Sequence, residues 1–196
     1  MDFELEIDPA LAAAVLELEK HHAAAGWDQP ARLYALVDTA SLVAHEPALA
    51  AMLGLDESRE RGSLTPIEQE ELAADQQLEG FLPSISWPAS VIGCAAVVER
   101  LVLPPAADGQ VPEDPAEAVE FAREHPDRQE VRIVAGVTRH GASYCAMRLR
   151  AHDEDPAVLG GPDLVPSLLA LLRATLEDES EETAADPSAT ESGDTP

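Results

Sequence analysis

The stretch EVRIVAGVTRHGASYCAMRLRA, residues 130–151, reads as two β-strands joined by a turn. Val131, Ile133, Ala135 and Val137 share one face of the first strand, and Cys145, Met147 and Leu149 share one face of the second. A two-residue His140-Gly141 loop would pair Val137 with Tyr144 and turn the two apolar rows to opposite faces of the sheet. A three-residue loop, Arg139-His140-Gly141, pairs Ala135 with Cys145 and Ile133 with Met147. It also places Gly141 at the left-handed position such a loop needs. This second register is the one expected.

The register has a consequence for charge. The opposite face carries Glu130, Arg132, Arg148 and Arg150, with Arg132 opposite Arg148 and Arg150 opposite Glu130. With Arg128 and Arg139 nearby, a basic strip lies on a chain whose 12 Lys plus Arg face 38 Asp plus Glu, for a net charge of −26. Salt bridging to acids from helices or to Glu99 is one reading of the strip. The other makes Arg132, Arg139, Arg148 and Arg150 an anion- or partner-binding face.

Working outward, helix starts are written in one style. Asp8-Pro9 opens an Ala/Leu-rich helix ending at Gly26, and Asp114-Pro115-Ala116-Glu117 opens another that stops at His125-Pro126. Thr65-Pro66-Ile67-Glu68 has the form of a capping box and predicts a third. Asp163 is expected to cap the last helix, Leu164 to Leu176, with Pro166 in its first turn. Between these, Arg32 to Val37 is a short strand, Thr39 to Leu53 is helical with an interruption at Pro47, and Val91 to Leu103 is an apolar strand suited to a sheet centre. Residues 56–63 and 104–112 read as loops.

Residues 1–176 are expected to form one α+β domain, a small, mostly antiparallel sheet of about four strands with packed helices. Residues 177–196 hold eight acids, no basic residue and no large apolar residue, and are expected to be a disordered acidic tail. The element order suggests, by analogy alone, small dimeric secretion-chaperone-like folds.

Charge and composition narrow the partners. So acidic a surface repels nucleic acid and anionic lipid, and no window approaches the roughly 18 apolar residues of a membrane helix. The N-terminus is acidic where a secretory signal is basic, so a cytoplasmic location is expected. Cys94 and Cys145 sit in apolar runs and read as reduced core residues. Lys20 is the single lysine among the basic residues, and alanine is abundant. That bias fits a high-GC bacterial genome, with a halophile as the alternative.

Motifs for chemistry are sparse. Arg139-His140-Gly141 matches the Arg-His-Gly signature of histidine phosphatases, but it comes late in the chain and leads into a strand, which makes it a turn. His21-His22 with Glu17 supplies half a metal site at most and reads as a wet, polar helix end. His152-Asp153-Glu154-Asp155 lacks the calcium-loop pattern. Gly160-Gly161-Pro162-Asp163 is a turn rather than a phosphate loop. No catalytic residue, metal site or cofactor is assigned.

Three segments together carry a family resemblance. They are Val97-Val98-Glu99-Arg100-Leu101-Val102-Leu103-Pro104-Pro105, then His125-Pro126-Asp127-Arg128 leading into Val131 to Gly136, then Gly160-Gly161-Pro162-Asp163-Leu164-Val165-Pro166. The chain resembles a family of small, acidic, uncharacterised proteins of high-GC Gram-positive bacteria (actinobacteria). The resemblance implies no activity, and it favours genome composition over a halophile as the source of the bias.

The function expected from these observations is a non-enzymatic binding or protein-interaction module, chaperone-like or regulatory, acting as a homodimer through a free sheet edge. The alternative is a small-ligand or metal-dependent enzyme built on the Arg-rich face with His140 or His152. Arginines lining a concave pocket with a histidine would favour the enzyme. Arginines each paired to an acid would favour the module.

Overall fold

The structure, a computed structural model, describes residues 7–55, 62–69 and 78–177. The chain runs α1 (Pro9–Ala25), β1 (Arg32–Asp38), α2 (Thr39–His45), α3 (Pro47–Met52), β2 (Leu64–Glu68), α4 (Leu78–Phe81), β3 (Gly93–Val102), α5 (Pro115–Glu124), β4 (Gln129–Thr138), β5 (Ser143–Leu149), β6 (Leu159–Gly161) and α6 (Pro166–Leu176). The strands form one antiparallel sheet in the order β2-β1-β3-β4-β5-β6. The fold is α+β as expected, but the sheet has six strands rather than about four.

Two strands account for the difference. The Thr65-Pro66-Ile67-Glu68 capping box is not a helix start; it lies in β2, paired with β1 from Tyr34–Glu68 to Asp38–Leu64. The Thr65 hydroxyl meets the Thr39 hydroxyl at 2.8 Å instead of capping a helix. Pro66 is tolerated because β2 is an edge strand, where a missing N–H need not break the ladder. The other addition, β6, is three residues from the Gly-Gly turn, pairing Cys145 with Gly161 and Met147 with Leu159.

The hairpin has the expected register, with Ala135 opposite Cys145, Ile133 opposite Met147 and Arg132 opposite Arg148. Gly141 has φ 88°, the left-handed conformation that closes the three-residue loop. The apolar run at residues 91–103 becomes β3, central between β1 and β4. Asp8 and Asp114 cap α1 and α5 through two main-chain N–H groups each. Asp163 does not cap α6. That helix begins later, at Pro166, with Val165 at the cap position, and Leu164 is left 40% exposed.

Helices cover both faces, with Leu78 of α4 joining α6 on the first. On the first, α6 buries Leu168, Leu169, Leu172 and Leu176 against Cys94, Ala96, Ile133, Ala135 and Cys145. Each such leucine contributes roughly 1.5–3 kcal/mol by leaving water. On the second, Leu11, Ala14, Val15 and Leu18 of α1 lie on Tyr34, Leu36, Ala95, Val97, Val134 and Ala146. Both cysteines are free and buried, on strands that β4 separates. Burial pushes the Cys94 thiol up to about 11. Trp87 is buried and donates its indole N–H to the Thr175 hydroxyl at 2.9 Å. No helix among the described residues is long and apolar enough to cross a membrane. The expected acidic tail, except Glu177, lies outside the described residues, as does most of the loop at 56–63.

Candidate functional site

Arg132 on β4 and Arg148 on β5 stand directly opposite each other on the face that α1 covers, and they are the largest fully buried side chains. Like charges opposite one another repel, and a buried guanidinium needs its own acid. Arg132 donates to Glu99 of β3, with Nη2 2.8 Å from Oε1. Arg148 donates to Glu19 of α1 through Nε at 2.5 Å and Nη2 at 2.9 Å. It also reaches the Asp155 carboxylate at 2.9 Å and the Asp153 carbonyl at 2.9 Å. These hydrogen bonds hold the Arg148 pKa above its ordinary value.

The connection between α1 and β1 wraps around the same charges. The Trp27 ring lies 4.3 Å from the Arg132 guanidinium and 5.6 Å from that of Arg150, so one indole takes two cation–π contacts. The Gly26 carbonyl accepts from Arg132 Nη2. Glu99 turns its second oxygen to the N–H of Asp28 at 2.7 Å. Asp28 has φ 65° and takes Arg150 in a fork at 3.0 and 3.0 Å, while Glu130 accepts from the same arginine at 2.5 Å. The Trp27 N–H goes to Asp153 at 3.1 Å. A mixed polar and apolar cavity of about 280 Å³ opens beside Trp27, Asp28, Glu99, Glu130 and Arg150.

His22 belongs to this buried layer. It does not form a wet helix end: it is 6% exposed, with Nε2 2.8 Å from the Tyr34 hydroxyl. Burial lowers its pKa from 6.5 to about 4, helped by the charges of His21, Arg132 and Arg32 and opposed by Glu19. Burial likewise pushes the Tyr34 phenol up to about 12. The unfolded chain therefore takes up the His22 proton before the folded one does. The stability this gives is complete above pH 6.5 and is lost as pH falls through about 4. In urea titrations across that window, the unfolding midpoint of wild type should drop further than that of His22→Gln, whose amide keeps a bond to Tyr34. Equal drops would mean that His22 is not held neutral.

Arg139 is placed elsewhere, in the loop at the far end of β5 from Arg148 and Arg150. It donates Nε to the Val91 carbonyl at 2.9 Å and Nη2 to the Trp87 carbonyl at 2.9 Å, and Nη1 bonds the Leu176 carbonyl at the end of α6. His140 is exposed in the same loop, so the fold does not bring it to the other three arginines. His152 is exposed, bridging to Leu149. No group of three or more His, Cys, Asp or Glu among the described residues is arranged to hold a metal ion.

Glu19 and Asp28 were not singled out from the sequence, and Trp27 was not placed beside the arginines. For Glu19 a signal exists: it lies four residues after Val15 and one after Leu18, inside the buried stripe of α1. An acid in that register needs a buried cation. Trp27 and Asp28 act through a turn whose path no local pattern specifies.

The fold and site together define a six-stranded antiparallel sheet clasped by two helices, with an internal arginine–carboxylate layer under one of them. The chain belongs to the PPA1309-like protein family, whose profile matches residues 11–177. The family is named for a protein of Propionibacterium, an actinobacterium. No curated protein and no solved structure matches the chain.

Proposed function

We propose that this protein is a non-enzymatic protein-interaction module that pairs as a homodimer through the β6 edge of its sheet. The observation that carries the reading is the open edge itself. Among the described residues β6 is a terminal strand with no further strand beside it, and its Leu159 is 61% exposed, an apolar side chain on that edge. The arginine layer supports it. Arg132, Arg148 and Arg150 are surrounded by Glu19, Glu99, Glu130, Asp28 and Asp155, so the surroundings carry more negative than positive charge and do not attract an anion. These groups set the shape of the domain and leave recognition to the edge. Cytoplasmic residence fits the same reading.

Leu159→Lys tests it. The substitution adds charge at an exposed position and leaves the core untouched. Sedimentation equilibrium should give a dimer for wild type and a monomer for Leu159→Lys, with unchanged circular dichroism. A wild-type monomer, or a dimer that survives the substitution, would remove β6 as the interface.

A further inference from the structure

A cavity of about 270 Å³ lies between the sheet and the first turns of α6, and takes no wall from β6. Its apolar walls are Val98 of β3, Ile133 of β4, Val165, and Leu168 and Leu171 of α6. Glu79 of α4 and Arg100 of β3 complete it. We infer that it binds a free α-amino acid with an apolar side chain, the carboxylate on Arg100 and the ammonium on Glu79.

Strand alternation makes the cavity amphipathic. Val98 and Arg100 flank Glu99 on β3, so both face α6 while Glu99 faces α1 and Arg132. Val98 stands opposite Ile133, and these two and Leu168 are buried. Arg100 and Glu79 are 37% and 42% exposed and bond at 2.7 Å. The cavity therefore has a dry floor and a charged rim open to water. Apolar walls without partner atoms forgo dispersion contacts that an apolar occupant restores. Ser167 is the single uncharged polar side chain among the described lining residues. A polar side chain on the occupant would be left without hydrogen bonds there.

The rim selects the head group. Arg100 donates Nη2 to Glu79 at 2.7 Å and Nη1 to the Glu99 carbonyl at 3.1 Å, and its other N–H groups make no bond among the described residues. A carboxylate accepts more than one bond, so Glu79 keeps acceptor capacity beside Arg100. A bare aliphatic carboxylate on Arg100 would also meet the Glu79 charge, and a bare amine on Glu79 would also meet Arg100. A zwitterion sets each of its charges against the opposite one and forms charge-assisted bonds at both ends. The cavity lies just below the roughly 300–1,000 Å³ of drug-sized ligand sites, which suits a molecule as small as leucine. Water screens both rim charges, so binding is weak and reversible and dialysis removes the ligand. The site shares no residue with β6 and is independent of the dimer.

The test is an NMR titration of the dialysed full-length protein with L-leucine. Saturable shifts are expected at the amides of Arg100, Ser167 and Leu168 and at the methyls of Val98 and Leu171. L-asparagine, similar in shape but polar, and glycine, without a side chain, should leave them unmoved at matched concentration. 4-Methylpentanoate lacks only the ammonium of leucine and isopentylamine only its carboxylate. Each should bind at least about tenfold more weakly, the loss expected when one charge-assisted hydrogen bond is removed. Arg100→Gln should weaken L-leucine binding by a similar factor, and Leu171→Phe, which fills the cavity, should abolish it. Arg100 is partly exposed, so Arg100→Gln keeps the fold and carries the test should Leu171→Phe disturb the core. A monomeric protein that still binds L-leucine would leave this inference standing and remove the dimer. No saturable shift with L-leucine, shifts away from the cavity, or 4-methylpentanoate binding as tightly as L-leucine would overturn the inference.

Discussion

Glu19→Gln is expected to destabilise the fold by about 3–5 kcal/mol, the usual cost of stranding one member of a buried ion pair. Arg148 is 2% exposed, and Glu19 supplies two of its contacts from α1, across the domain in sequence. Neutral Gln leaves the guanidinium charge buried with Asp155, which is 79% exposed and shares its attraction with water. Urea unfolding followed by circular dichroism measures the loss. Asp155→Asn should stay within about 1 kcal/mol of wild type. Replacing both partners, as Glu19→Leu with Arg148→Met, should recover most of what Glu19→Gln loses, because an apolar pair of similar volume needs no desolvation of charge. A Glu19→Gln cost as small as that of Asp155→Asn would show that α1 is not held by this pair.

Gly136→Val should be the other severe substitution. Gly136 lies on β4 beneath α1, and an added Cβ would be 2.8 Å from Val15 Cγ2 and 3.1 Å from Leu11 Cδ1. Those leucine and valine side chains are themselves fully buried and have no space to retreat into. Overpacking of this kind costs about 1–3 kcal/mol for one added group, and valine adds more than one. For a chain of this length each kcal/mol lowers the melting temperature by about 2–4 °C. Gly136→Ala should give a smaller drop than Gly136→Val in the same calorimetric scan. Because a lifted α1 also draws Glu19 from Arg148, Gly136→Val and Glu19→Gln should combine less than additively. Two equal, negligible drops would mean that α1 does not rest on β4 as described.

The hairpin was legible because parity leaves no choice there: a one-residue slip would have turned Val131, Ile133 and Ala135 away from Cys145 and Met147. The capped helices α1 and α5 were legible for a similar reason, since an Asp followed by Pro fits few other contexts. What failed was any element whose conformation is set by a distant partner. Thr65 to Glu68 has the letters of a helix start, but pairing with β1 overrides local preference. The three residues of β6 carry too few side chains to display a period. The site divides along the same line. Arg132, Arg148, Arg150 and Glu130 followed from the hairpin register, and Glu99 was named as an acid for the strip, but its place opposite Arg132 comes from the pairing of β3 with β4. The clasp formed by Glu19, Trp27 and Asp28 depends on how α1 crosses the sheet and how its following turn is routed, which spacing along the chain does not encode.

The proposed function is association, with Arg132, Arg148 and Arg150 held in ion pairs inside the domain. A native mass spectrum of the purified full-length chain tests it most directly, because it reports subunit number and retained small molecules together. A dimer without adduct is expected. A monomer, or a species carrying a stoichiometric metal or small molecule, would contradict it and return the arginine face to candidacy as a ligand site.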